Sequence, residues 1–457
     1  MKKILVVFIM LILIFTASCT KETTVTYSSE RNNRWIEDIN YLQENLPKVH
    51  GGLYLNISAE EFNERIEKLK QDIPKLDEIE IQIRLKEIFT LVGDAHLMIA
   101  NFESDIQKVF SLKTLYNIYF QPGLEEVYPI KTKWFGDNLY TIEIDSEYKE
   151  ALGTKLVKIN NNSIEKIMEE INKLISHNNE WRLKFLNPMY IIHPKILKYF
   201  NFADDKTIFT FEEENGEQID IEIKVKDIDN VKFVSVLDKV DNKPIYMKKN
   251  DFFSYEYLPE EKILYFDFNI YWDKNRDNFL KLAQKGAGKG IKYIPRDETV
   301  EELPDFYSLT NKMFSEFEKK EIDKFIIDMR DNNGGSYEFG GTLINKIKNI
   351  DKINRKGKLF VIVNKGSFSA PVYDVVRFKE ETEVITIGEP TGEMPFKNGG
   401  ACYLELPNSK LDIFFSRWLF TPLDENVDTF TPDIIVNTSF EEYQKGIDPV
   451  FETIKNY

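Results

Sequence analysis

The sequence predicts a multidomain α/β protein of α+β arrangement whose C-terminal half is a layered βαβ-type core, and three observations carry that expectation. Leu359-Phe360-Val361-Ile362-Val363 is an unbroken, largely β-branched run, the pattern of a strand buried on both faces of a parallel sheet. Phe325-Ile326-Ile327 is a second such run, and Lys262 to Phe268 opens a third. Helical spacing falls between and after them, over Phe306 to Phe317 and at Val372, Val375, Val376 and Phe378, so strand and helix alternate as in a layered fold. At 457 residues the chain exceeds what one hydrophobic core organises, so two or three domains are expected.

Residues 1–18 read as a secretory signal. Lys2 and Lys3 precede an apolar run from Ile4 to Phe15, which is too short to span a bilayer, and Thr16-Ala17-Ser18-Cys19 closes it as a lipobox-like site. Lipidation of Cys19 is expected, with 19–28 as anchor and tether. The mature protein would then be held at the bacterial cell membrane, outside the cytoplasm. The formal charge is −16, and cleavage before Cys19 removes two lysines to leave −18, which argues against a nucleic-acid partner. Cys19 and Cys402 are the only cysteines, so neither a disulfide framework nor a cysteine-rich metal site is available.

From residue 29 to about 115 a helical domain is expected. Ile36, Ile39, Leu42 and Leu46, then Phe62, Ile66 and Leu69, then Ile81, Leu85 and Ile88 recur at helical spacing, and Pro47 and Pro74 mark turns. The apolar stretch Leu91 to Ile99 that follows contains Asp94 and His96. Taken alone, a histidine there is a buried core residue. Between 125 and 228 the pattern shifts to short strands around one helix: Leu139 to Ile144 alternates, Glu165 to Ile175 is helical, and Asn215-Gly216 between two apolar runs signals a hairpin. Ile171 to Phe202 reads as an insertion. The core then occupies 255–457, with polar or glycine-bearing loop sequence over Asn278 to Gly290 and Pro295 to Pro304.

Two junctions in the core carry chemistry. Asn364-Lys365-Gly366-Ser367 turns the chain after the Val363 strand and Phe368-Ser369-Ala370-Pro371 starts a helix, so Ser369 sits at a strand-to-helix junction with the Ala370 amide at the helix start. That arrangement suits an acyl-transfer nucleophile with an oxyanion donor one residue on, although a serine there is by itself an ordinary helix cap. After the Ile327 strand, Asp328-Met329-Arg330-Asp331-Asn332-Asn333-Gly334-Gly335 ends in two glycines that let backbone amides approach a ligand.

Together, IIDMRDNNGG, VNKGSFSAP and IGEPTG, in this order and spacing, resemble the catalytic core of the tail-specific (C-terminal processing) and tricorn-core serine peptidases. The resemblance implies a ClpP/crotonase-like core, Ser369 as nucleophile, and Gly334, Gly335 and Ala370 as the oxyanion hole. Met394 stands where one branch of the family keeps a lysine base, and a thioether cannot take a proton, which leaves Lys397 only from a shifted place. Gly93-Asp94-Ala95-His96 resembles the stretch from which the other branch draws a histidine base, so the resemblance implies His96 in that role. Asp94 is read as structural.

Thr431-Pro432-Asp433 matches the family's closing signature; of Asp424, Glu425 and Asp428 before it, Glu425 is the expected acid orienting His96. GTKLVKINNNSIEKIMEEI resembles part of a PDZ domain, making 125–228 a degenerate PDZ-like module. The expected protein is thus a lipid-anchored serine endopeptidase acting on peptides or unfolded protein tails, with no cofactor or metal in the chemistry. A non-catalytic peptide- or ligand-binding lipoprotein on the same fold stands beside it, because Met394, Pro371-Val372 and the acid depart from the family pattern.

Overall fold

The computed structural model describes residues 27–100, 126–248, 252–275, 284, 291–292, 304–336, 338–420 and 427–457. The signal segment, Cys19, most of the two expected loop segments, Asp424 and Glu425 lie outside these residues. No helix among the described residues is long and apolar enough to cross a membrane.

The N-terminal helices Ser29–Val49, Ala59–Asp72 and Glu78–Thr90 each begin on a side chain that accepts a first-turn amide, from Ser28, Ser58 and Asp77 respectively. Caps of this kind stabilise a helix by about 1 kcal/mol each. Pro47 does not end the first helix, which continues to Val49. Ile39, Leu42, Phe62, Ile66, Ile81 and Leu85 point inward, but the helices do not close this core alone. Cys402, Leu404, Ile413 and Phe415, from the antiparallel strands Asn398–Glu405 and Asp412–Leu419, complete it. One edge of the same sheet is Met98–Ala100, paired with Asp412 to Phe414. The helical segment therefore shares its interior with the far end of the chain. Three amphipathic helices leave an apolar face that an alternating strand pair can cover.

The region expected to resemble a PDZ domain is an antiparallel sheet packed on helix Ile164–Asn172, with the predicted hairpin turning at Gly216, whose φ is 84°. It runs past 228, because Phe233–Ser235 pairs with Glu143 to Asp145. The segment read as an insertion forms helices Glu180–Tyr190 and Pro194–Tyr199, whose Leu186, Tyr190 and Leu197 enter the same core as the sheet.

The C-terminal half is the expected layered structure. Strand Phe253–Leu258 forms an antiparallel edge, followed in spatial order by parallel strands Ile263–Phe268, Lys324–Asp328, Leu359–Val363, Ile385–Gly388 and Ile434–Ile435. Helices Phe306–Lys319, Glu338–Ile347 and Ala370–Glu381 contribute to one apolar layer and helix Pro449–Asn456 to the other. Leu359 to Val363 are buried throughout, as a central parallel strand requires.

One buried group in this half makes a testable contribution to stability. Asp374, in helix Ala370–Glu381, faces Gly340 of the neighbouring helix. No hydrogen bond of good geometry reaches either carboxyl oxygen among the described residues, and Arg377 Nη1 comes only to 3.6 Å. Burial pushes its carboxyl up to about 7. A carboxyl with a raised folded pKa holds its proton better when folded, so stability falls as pH rises from about 4 towards 7, and the cost is fully present above that. Asp374→Asn is expected to raise the melting temperature at pH 8, by an amount equivalent to a few kcal/mol in order of magnitude, and to change it little at pH 4. Thermal melts across that range check it, and equal shifts at both pH values would contradict it.

Candidate active site

Ser369 ends the turn after strand Leu359–Val363 and immediately precedes helix Ala370–Glu381. Its backbone has φ 65° and ψ −119°, a conformation a non-glycine residue rarely adopts. The surrounding bonds enforce it. Phe368 N donates to Asn332 O at 2.9 Å, Val372 N and Tyr373 N donate to Ser369 O, and Ser369 N donates to Glu393 Oε2 at 2.7 Å. The Ser369 hydroxyl does not cap the helix. The ordinary reason for a serine at a helix start is therefore missing, and its hydroxyl is presented by a sharp turn, as in a nucleophile elbow.

His96 Nε2 stands 3.3 Å from Ser369 Oγ. The described residues thus bring together two side chains that the sequence separates widely, at a distance within the looser reach of an unliganded site. The imidazole is buried between Phe368 and Phe414, with ring centroids 4.6 and 6.0 Å away. Its Nδ1 faces two carboxylates, Glu393 Oε1 at 3.4 Å and Asp94 Oδ1 at 3.6 Å. Acceptors on that side favour the tautomer with the proton on Nδ1, leaving Nε2 free to accept. Burial by itself pulls the imidazole pKa down, but Glu393 and Asp94 outweigh it and the net displacement is upward. Burial also raises Glu393, against the pull of His96 and the Ser369 amide, so the pair retains a proton to higher pH than two isolated groups would.

Glu393 is the residue that sequence reasoning passed over. It directly precedes Met394 in the G-E-P-T-G-E stretch, and no local pattern sets it apart there. Glu425 lies outside the described residues. Asp428, another candidate, offers its backbone carbonyl to Asn179 Nδ2 at 3.0 Å. Asp94, expected to be structural, accepts from His96 N, Ser416 N and Ser416 Oγ at 3.0, 3.0 and 2.9 Å and also faces the His96 ring. Lys397 immediately precedes strand Asn398–Glu405, and its carbonyl accepts from Phe420 N at 3.0 Å.

The three expected oxyanion amides differ. Gly334 N donates to Asn332 Oδ1 at 2.9 Å, which removes it from the free donors, whereas Gly335 N and Ala370 N donate to no described residue. Gly334 serves by being small. At its φ of 92°, a Cβ would stand 2.8 Å from Ser369 Cβ and 3.0 Å from Ala370 N. Asp328 and Arg330 are structural. Arg330 binds Asp328 and Asp448, closing a buried ion-pair cluster beneath the glycine turn.

The helical segment Glu180–Tyr190 also reaches this site. Asn179 Nδ2 donates to Thr391 O at 3.0 Å and Asn178 Oδ1 accepts from Met394 N at 3.1 Å, so the Glu393 turn is held from both sides. Arg182 lies 3.7 Å over the Phe368 ring, and its Nη1 donates to Asn333 Oδ1 at 3.3 Å. No group of metal-ligating side chains occurs among the described residues.

The fold and this site are those of a layered α/β protein with a serine–histidine pair. The sequence matches no protein-family model and no curated protein. Solved structures do superpose on it over nearly its whole length. Mature CPAF aligns with a TM-score of 0.60 at 10% identity, covering 93% of this chain and 96% of that one. Its complex with lactacystin gives 0.59 at 10% identity, covering 94% and 98%. A looser superposition, at 0.39 and 11% identity, covers 90% of this chain and 94% of the photosystem II D1 C-terminal processing protease. The chain has the fold of CPAF.

Proposed function

We propose that the protein is a serine peptidase cleaving peptides or unfolded protein tails by acyl-enzyme chemistry, held outside the cytoplasm by lipid on Cys19. The observation that carries the reading is the 3.3 Å contact between His96 Nε2 and a Ser369 hydroxyl presented on strained backbone. Ser369 Oγ attacks the scissile carbonyl carbon while its proton passes to Nε2. The oxyanion is received by the Gly335 and Ala370 amides, and the Glu393 and Asp94 carboxylates stabilise the imidazolium. Collapse of the adduct breaks the C–N bond, and the leaving amine takes the proton from His96. Water then repeats the sequence on the acyl-serine and regenerates the hydroxyl.

Support also comes from the shared fold with CPAF, a protein solved in complex with lactacystin. Reaction of the wild type with a fluorophosphonate probe, together with hydrolysis of an unfolded protein between mildly acidic and mildly alkaline pH, tests the reading. Failure of both overturns it in favour of a binding protein on this fold. The anchor has its own test: Cys19→Ala is expected to release the protein from membranes or to leave an unprocessed precursor. Unchanged membrane association and gel mobility would remove the anchor.

A further inference from the structure

Behind His96 stands a second buried histidine that takes no part in the proposed proton transfers. His50 follows the first helix, Ser29–Val49, and its amide still bonds back to Leu46 O at 2.9 Å. The next residue locks it in place. Gly51 N donates to Ser416 O at 2.9 Å, and a Cβ on Gly51 would meet Arg417 O at 2.7 Å, so only glycine allows the chain to lie this close to strand Asp412–Leu419. His50 stacks on Phe415 of that strand, with ring centroids 6.0 Å apart, and its side chain is wholly shielded from solvent. Its Nε2 lies 3.1 Å from Asp94 Oδ2.

Asp94 therefore stands between two imidazoles. Oδ2 meets His50 and the Ser416 amide; Oδ1 meets the Ser416 hydroxyl, the His96 amide and, at 3.6 Å, the His96 ring. The charged groups facing His96 are Asp94, Glu393 and Arg182, and His50 faces Asp94 from the opposite side. A carboxylate this deeply buried persists only with its oxygens partnered, and its charge is divided among the groups that hold it.

We propose that His50 is a positioning residue for His96, acting through Asp94, so that two buried histidines share one carboxylate and His50 sets how much of its charge and orientation reaches the catalytic ring. The proposal rests on the peptidase reading for its consequence in catalysis but not for the coupling itself.

His50→Phe keeps a ring against Phe415 and removes the nitrogen facing Asp94. With the carboxylate left to His96 alone, the imidazolium is held more tightly, and the His96 titration moves to higher pH than in the wild type. The acid limb of kcat/KM moves with it. On the alkaline plateau kcat falls by roughly tenfold or more because the ring is less well placed, while KM stays within about twofold. His50→Gln retains an N–H able to reach Asp94 and is expected to recover most of both effects.

The measurements are pH–rate profiles, melting temperatures, and NMR titration of the full-length protein labelled at histidine. A His96 titration and kcat in His50→Phe indistinguishable from wild type would overturn the proposal. So would His50→Gln being as impaired as His50→Phe with the same loss of melting temperature, since that marks a packing role. If the wild type hydrolyses nothing, the peptidase reading falls separately, and the His96 titration in wild type and His50→Phe still decides the coupling.

Discussion

Ser369→Ala and His96→Ala are each expected to lower peptide hydrolysis by roughly 10⁴-fold or more, and to abolish fluorophosphonate labelling. The equality is the informative part. Once Ser369 Oγ is gone there is nothing for His96 to deprotonate, and once Nε2 is gone the hydroxyl keeps its proton, so each deletion removes the whole unit rather than a share of it. Ser369→Ala also leaves φ at 65° without a functional return, since alanine is no better suited to that conformation than serine. Its melting temperature is therefore expected to stay close to wild type, which separates lost chemistry from lost structure. Labelling that survives His96→Ala but not Ser369→Ala would keep the nucleophile and move the base elsewhere, with Lys397 the first residue to examine.

Glu393→Gln is expected to lower kcat by roughly 10³-fold and to move the acid limb of kcat/KM to lower pH. Both follow from one change of charge. The Glu393 carboxylate faces His96 Nδ1 at 3.4 Å and helps to raise the imidazole above its ordinary value, so wild-type activity is expected to appear only as pH rises through that elevated pKa. Removing the anion lowers the pKa and withdraws the stabilisation of the imidazolium formed as Ser369 attacks. The glutamine oxygen can still accept the Ser369 amide, which Glu393 Oε2 now holds at 2.7 Å, so the turn is retained. Glu425→Gln is the comparison. A loss confined to Glu425→Gln, with Glu393→Gln near wild type, would return the orienting role to the residue favoured on sequence grounds.

The parallel sheet was legible because a strand buried on both faces must be apolar along its length, and Phe325 to Ile327 and Leu359 to Val363 meet that condition without help from the rest of the chain. The turns that follow were equally local: Gly334-Gly335 and Gly366-Ser367 are residues that a chain reversing over a site requires. Ser369 and His96 were named from short motifs whose local backbone they share with the fold, Ser369 at the start of its helix and His96 just before strand Met98–Ala100.

Glu393 was not legible in the same way. Its role depends on distances to His96 and to the Ser369 amide, and no local pattern distinguishes it from Glu389, which instead pairs with Lys365 at 2.9 Å. Asp94 was read as structural because residues two apart in an extended chain share a face at a poor angle for a hydrogen bond. The structure replaces that geometry with a turn, in which Leu97 N donates to Asp94 O and the carboxylate wraps under the His96 ring. Arg182, Asn178 and Asn179 were hidden inside what read as an insertion, since nothing in their own segment indicates that it docks on the Thr391 to Met394 turn.

The sequence by itself determined the layered core, the turn chemistry at its strand ends, and which serine and histidine to compare. Those depend on periodicity and on residue types that act within a few positions of themselves. Only the tertiary structure decided which carboxylates meet His96, that Gly334 is spent on Asn332 while Gly335 and Ala370 donate to no described residue, and that His50 stands behind Asp94. Each of these is a contact between elements far apart in the chain, where burial removes water as the alternative partner and leaves the nearest polar group to set charge and orientation.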